Sequence, residues 1–272
     1  MSALVVCGPA RLSAAFAARP AGSAPGLIPY LTAGFPRRDD TEALLLAAEH
    51  AGCLGVEVGI PFSDPLADGP TIQRSSQHAL ANGMSAPLAL EQVAGARAAG
   101  LGLPVVAMTY INPILARGVE RFCAAAAGAG VDGLIVPDLP DDEAGELRVQ
   151  AGSAGLALIP LVAPTTTEER LARACAHAAG FVYCVSITGT TGARERIAPE
   201  AFALLERVGR ASTLPRALGF GLSRPEHLEQ LRGRCEAAVV GAALIDAIAA
   251  AAEPAAAAVE RFCVSMLSGA AA

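Results

Sequence analysis

The stretch from Gly55 to Pro70, Gly-Val-Glu-Val-Gly-Ile-Pro-Phe-Ser-Asp-Pro-Leu-Ala-Asp-Gly-Pro, sets three carboxylates where proton chemistry is favoured. Glu57 lies in a short apolar run between Val56 and Val58, after which Gly59, Pro61, Pro65, Gly69 and Pro70 break the chain into a loop. Successive side chains of a strand point to opposite faces, so Glu57 faces away from both valines. Burial there raises a carboxyl pKa unless a partner compensates, which poises the group to give and take a proton near neutrality. Asp64 and Asp68 follow after rigid turns and can bring a second carboxylate, in a different environment, to the same space. Asp beside Pro or Gly is also common turn chemistry, and Glu57 fits an ordinary edge strand, so the residues alone leave both readings open.

Composition narrows the chemistry. The chain has no lysine, all twenty basic residues being arginine. A Schiff base to a carbonyl substrate or to pyridoxal phosphate is therefore excluded, the N-terminus aside. The histidines His50, His78, His177 and His227 stand apart in helical stretches with no ligand spacing, so no metal site is expected. Carbon–carbon cleavage here would have to run on carboxylates, without a cofactor. Seven widely spaced cysteines with no Cys-x-x-Cys read as small buried hydrophobes in a reducing compartment. A net charge of −6 and no basic cluster longer than Arg37-Arg38 argue against a nucleic-acid partner. No run of about 18 strongly apolar residues suggests a membrane span. The Ala-rich tail is cut by Asp246, Glu253 and Pro254, and Leu4 to Cys7 is too short for a secretory signal. A soluble cytoplasmic protein is expected.

The elements that must position these groups alternate. Short runs rich in β-branched residues predict strands at 27–31, 54–58, 105–108, 133–136, 157–161, 181–185, 217–219 and 237–240. Longer amphipathic runs predict helices at 40–51, 86–99, 118–129, 143–154, 167–178, 199–208, 224–231 and 253–267. Thr167 and Asp39 or Asp40 read as helix caps. Two further helices, 11–18 and 71–80, fall outside the alternation, the first suited to covering the bottom of a barrel. Eight βα repeats within 272 residues, with no linker, predict one α/β domain over 1–272, a (β/α)8 TIM barrel with extra N-terminal and loop-2 helices.

In such barrels the active groups lie at the C-terminal strand ends and in the loops that follow. Those places hold Thr32 to Pro36, Glu57 to Pro70, Thr109 to Pro113, Pro137 to Pro140, Ala163 to Thr166 and Ser186 to Gly192. The last two loops, Gly219-Phe220-Gly221 and Val240-Gly241-Ala242, lack side-chain chemistry and suit a phosphate bound by main-chain N–H groups, with Gly241 and Ala242 opening a helix toward the anion. Gly192 adds a possible third donor.

From about Ile28 to Ile245 the chain resembles the tryptophan synthase alpha chain family. The matching strings are Gly55 to Pro70, Pro29-Tyr-Leu-Thr-Ala-Gly, Met108-Thr-Tyr, Asn112-Pro, Gly130 to Pro140, Thr191-Gly and Gly219-Phe-Gly. The resemblance implies a TIM-barrel lyase that cleaves indole-3-glycerol phosphate to indole and glyceraldehyde 3-phosphate. It implies Glu57 as the acid/base, Asp68 as the aspartate that binds the indole N–H, and Tyr183 as an active-site tyrosine. Thr191 falls in the mobile sixth loop, Phe220 at the substrate, and Gly192, Gly221, Gly241 and Ala242 at the phosphate. It further implies pairing with a beta chain in an alpha2beta2 heterotetramer, through the segments 61–64, 112–113 and 137–140. A stand-alone lyase releasing free indole, and a catalytically weak allosteric partner, are the alternatives. Three residues depart from the family pattern: Ala242, where serine is frequent, Ile187, where some members have arginine, and Asp246, where a basic residue is frequent. They predict weaker phosphate binding, Asp246 by repulsion.

Overall fold

The computed structural model describes residues 7–20, 22–186 and 196–269. Nine short strands, β1 (Gly26–Thr32), β2 (Val56–Gly59), β3 (Val105–Met108), β4 (Gly133–Ile135), β5 (Ala157–Leu158), β6 (Leu161–Val162), β7 (Val182–Val185), β8 (Arg216–Gly219) and β9 (Ala237–Val240), form one sheet in the order β5-β4-β3-β2-β1-β9-β8-β7-β6. All the pairings are parallel. Its two end strands are consecutive in the chain and separated only by Ile159 and Pro160. Ile159 N donates to Leu134 O (2.9 Å) and Tyr183 N to Pro160 O (3.0 Å), so the chain is tied to β4 on one side and to β7 on the other, and the ring closes there. The expected strand 157–161 is thus a single stave broken in two, because Pro160 has no N–H for the ladder. The architecture is the expected eight-stave α/β barrel.

Around it lie α1 (Pro9–Ala17), α2 (Thr41–His50), α3 (Pro70–Ala81), α4 (Ala86–Ala98), α5 (Ile111–Arg117), α6 (Val119–Gly128), α7 (Gly145–Ser153), α8 (Glu168–His177), α9 (Pro199–Ala211), α10 (Pro225–Gln230), α11 (Ala242–Ala250) and α12 (Ala255–Gly269). Thr109 to Pro113 is expected as loop, whereas α5 starts at Ile111. Pro113 reads as a loop signal, but within the first turn a helix needs no N–H, so proline is tolerated there. Thr167 caps α8 as expected, accepting from Arg170 N, while Asp40 makes no side-chain cap bond to α2 and pairs instead with Arg37.

Helix α1 closes the N-terminal end of the barrel. Asp132, just before β4 and 0% exposed, accepts from Gly8 N (2.7 Å), Val105 N (2.9 Å), Arg11 Nη1 (3.0 Å) and Arg97 Nη2 (2.8 Å). Phe16 adds a ring contact with Phe181 at 5.7 Å between centroids. With the bottom sealed, the open end is the one where the strands finish. Six of the seven cysteines are buried as expected, but Cys7 is exposed. Among the described residues no helix is long and apolar enough to cross a membrane, and no group of three or more His, Cys, Asp and Glu side chains could hold a metal ion.

Candidate active site

A cavity of about 500 Å³ lies at the C-terminal ends of the strands. Glu57, Asp68, Tyr183, Phe220, Gly221, Gly241 and Ala242 all line it. Thr191 and Gly192 lie outside the described residues, as does Ile187. Asp64 does not reach the cavity. It is exposed and accepts from Ser63 Oγ, so only one of the two loop aspartates joins Glu57.

Strand alternation explains Glu57. Val56 and Val58 pack into the core while Glu57, 2% exposed, points into the barrel. Burial pushes its carboxyl up to about 8, and the nearby Asp68 carboxylate adds to the rise. At neutral pH it is mainly protonated. Asp68, carried in by the turns of loop 2, is raised by burial to only about 6, because the hydroxyl of Tyr110 favours its ionised form. The two carboxyls therefore differ in state, one an acid and the other an anion.

Two tyrosines reach across neighbouring strands. Tyr30 is level with Glu57 in the β1–β2 register, and Tyr183 with Ala217 in β7–β8. Each extends over a glycine two residues further along: a Cβ on Gly59 would sit 1.9 Å from the Tyr30 hydroxyl, and one on Gly219 would sit 2.2 Å from that of Tyr183. These glycines supply room, not flexibility. Both hydroxyls are held protonated, their pKa values raised first by burial and then by the carboxylates.

The opposite wall is main chain. Phe220 has φ 76, the one positive value at a non-glycine among the described residues, followed by Gly221 with φ 76. Ser186 fixes this turn, its Oγ donating to Phe220 O (2.8 Å) and its N to Gly219 O (3.1 Å). The Phe220 ring meets Tyr183 edge-on at 6.4 Å. Alongside, α11 begins at the cavity. Ile245 N donating to Gly241 O (3.0 Å) is its first internal bond, so the N–H groups of Ala242, Ala243 and Leu244 precede it and are available to an anion.

Asp246 lines the cavity too, but it is not an isolated negative charge. It accepts from Thr71 Oγ1 (3.4 Å) and Arg74 Nη2 (3.5 Å), a partly screened pair that tempers the expected repulsion.

Several lining residues were not singled out from sequence. Tyr30 sits within the quoted Pro29-Tyr-Leu string, but β1 is buried throughout, so no alternation in its sequence marks which face Tyr30 takes. Ser186 and Arg196 also line the cavity. So does His227, on α10 as expected and buried, its Nδ1 accepting from Ser223 N (3.1 Å). Nothing local in the sequence brings it to the glycine-rich wall.

Comparison with known proteins gives one answer. The family model for the tryptophan synthase alpha chain matches residues 16–271, more than the span recognised from motifs. The tryptophan synthase alpha chain of Carboxydothermus hydrogenoformans is 46% identical over 238 residues, 88% of this chain and 89% of that one. That of Chloroflexus aggregans is 47% identical over 236 residues, 87% and 88% of the two chains. Among solved structures, a chain of the tryptophan synthase a2b2 complex of Pyrococcus furiosus superposes with TM-score 0.85 at 41% identity, covering 91% of this chain and 98% of that one. Tryptophan synthase subunit alpha of Legionella pneumophila gives 0.85 at 33% identity, covering 96% and 98%. The chain belongs to the tryptophan synthase alpha chain family, lyases of tryptophan biosynthesis.

Proposed function

We propose that this single-domain chain cleaves indole-3-glycerol phosphate by a retro-aldol reaction, with Glu57 as acid/base and Asp68 as the electrostatic partner of the indole nitrogen. The observation that carries this reading is the pair of carboxyls with separated protonation, Glu57 at about 8 and Asp68 at about 6, in one cavity. Protonation of indole C3 by neutral Glu57 puts positive charge on the ring nitrogen, and ionised Asp68 stabilises it. Glu57, now a carboxylate, takes the side-chain hydroxyl proton, the carbonyl of the triose phosphate forms as the carbon–carbon bond breaks, its electrons return to the ring, and indole and glyceraldehyde 3-phosphate separate. Tyr183 and Phe220 flank the ring. Gly192, Gly221, Gly241 and Ala242 hold the phosphate through main-chain donors, and Thr191 of loop six contributes to substrate binding. No step calls for a cofactor.

Assembly with a beta chain is the companion proposal. Its support is the Pyrococcus furiosus a2b2 relative and two exposed leucines in segments that follow strand ends, Leu66 of loop 2 at 91% and Leu115 of α5 at 55%. Incubation of the purified chain with indole-3-glycerol phosphate, with and without a beta chain, tests both. Equimolar indole and glyceraldehyde 3-phosphate, formed faster with the beta chain, is the expected result. High turnover unaffected by any beta chain would make it a stand-alone lyase, and none in either case would leave it an allosteric partner.

A further inference from the structure

Tyr110, the residue after Thr109 at the top of β3, is 4% exposed and has one proton to donate. Its hydroxyl oxygen accepts from Ala67 N (3.0 Å), so the acceptor side facing loop 2 is filled by a main-chain donor. Its proton is directed to Asp68 Oδ2 (3.0 Å). A carboxyl oxygen that receives this proton is the unprotonated one. The other oxygen, Oδ1, is left for the substrate. Three neighbours hold the arrangement. The Phe62 ring lies 5.4 Å from that of Tyr110, Gln73 Nε2 donates to Asp68 O (2.8 Å), and Ile111 N donates to Asp138 Oδ1 (2.9 Å), which ties the segment after Tyr110 to the β4 loop.

We propose that Tyr110 is a positioning residue of the reaction: its hydroxyl, locked by Ala67, fixes Asp68 as an oriented carboxylate with one oxygen free for the positively charged ring nitrogen. This rests on the role assigned to Asp68 above. Among the described residues, the charged and titratable groups around Asp68 are Glu57 on β2, Tyr30 on β1, Tyr183 on β7, Tyr110 itself and, behind it, Asp138, with Arg196, His227 and Asp246 elsewhere in the cavity lining. Of the side chains in that set, only Tyr110 lowers the Asp68 pKa, and burial works against it. Removing its hydroxyl therefore leaves Asp68 harder to ionise and free to rotate, while Tyr110→Phe keeps the ring against Phe62.

The test is steady-state cleavage of indole-3-glycerol phosphate by wild type, Tyr110→Phe, Asp68→Asn and the double variant across pH, under conditions that give wild-type turnover. Tyr110→Phe is expected to lose about tenfold or more in kcat, the scale of one charge-assisted hydrogen bond, with KM within about twofold. The acidic limb of its profile should move to higher pH. The double variant should be no slower than Asp68→Asn, because the hydroxyl acts through that carboxylate. An unchanged kcat and acidic limb in Tyr110→Phe, a loss confined to KM, or additive losses in the double variant would each overturn the positioning role. If Asp68→Asn is slow in that case, the reading of Asp68 survives. If Asp68→Asn turns over normally, the reading of Asp68 fails and the proposal with it.

Discussion

Glu57 and Asp68 are eleven positions apart in the chain, and the difference between them is environmental. The glutamate is enclosed among strand residues, with no hydrogen-bond donor among the described residues, whereas the aspartate has a tyrosine hydroxyl at 3.0 Å. Cleavage needs Glu57 protonated and Asp68 ionised, so kcat/KM should rise as pH passes about 6 and fall as it passes about 8. A pH series on the wild-type chain checks this, and a profile flat from 5 to 9 on the order of assay precision would remove the assignment. The same burial has a stability consequence. The folded state binds the Glu57 proton more tightly than the unfolded chain does, so the stability from that proton is full below the ordinary glutamate value of 4.5 and is lost as pH rises through about 8. Glu57→Gln cannot ionise, and its melting temperature should exceed that of wild type by more at pH about 9 than at pH about 5. An equal difference at both pH values would mean that Glu57 is not buried as an acid.

At the scale of elements, α1 is joined to the barrel through one buried carboxylate. Asp132 accepts from two arginines and two main-chain N–H groups, and Asp132→Ala strands those donors. The expected loss is about 3–5 kcal/mol in urea unfolding, since removing one partner of a buried ion pair leaves the other uncompensated. A loss under about 1 kcal/mol would show that α1 is held by Leu12 and Phe16 alone. The elements themselves were largely legible in sequence. The strand and helix periods gave the eight staves, and an Arg11-led helix read as a bottom cover is found there. The misses have local causes. Pro160 splits a strand whose apolar run looks continuous, and Pro113 reads as a loop signal although a first turn accepts it. The ion pair of Asp132 with Arg11 joins residues 121 positions apart, beyond the reach of any periodicity.

For the whole molecule, the closed barrel gathers one wall of carboxyls and tyrosines from β1 to β3 and β7, and faces it with main-chain donors from β8, β9 and α11. The candidate site was visible as strings because its chemistry follows strand ends, which sequence pattern locates well. Tyr110 escaped because its meaning depends on partners in another loop, Ala67 and Asp68. Leu66 and Leu115 are exposed in segments that follow strand ends, and under the proposed pairing Leu66→Asp should weaken association with a beta chain by about tenfold or more while leaving the melting temperature of the isolated chain unchanged. Unaltered binding in a calorimetric titration would move the partner surface elsewhere. The central claim is that Glu57 moves the proton. Indole release from indole-3-glycerol phosphate by Glu57→Gln, compared with wild type at equal saturation and with phosphate binding measured alongside, tests it most directly. A fall of about 10²-fold or more with phosphate binding retained is predicted. Turnover near the wild-type rate would contradict the account.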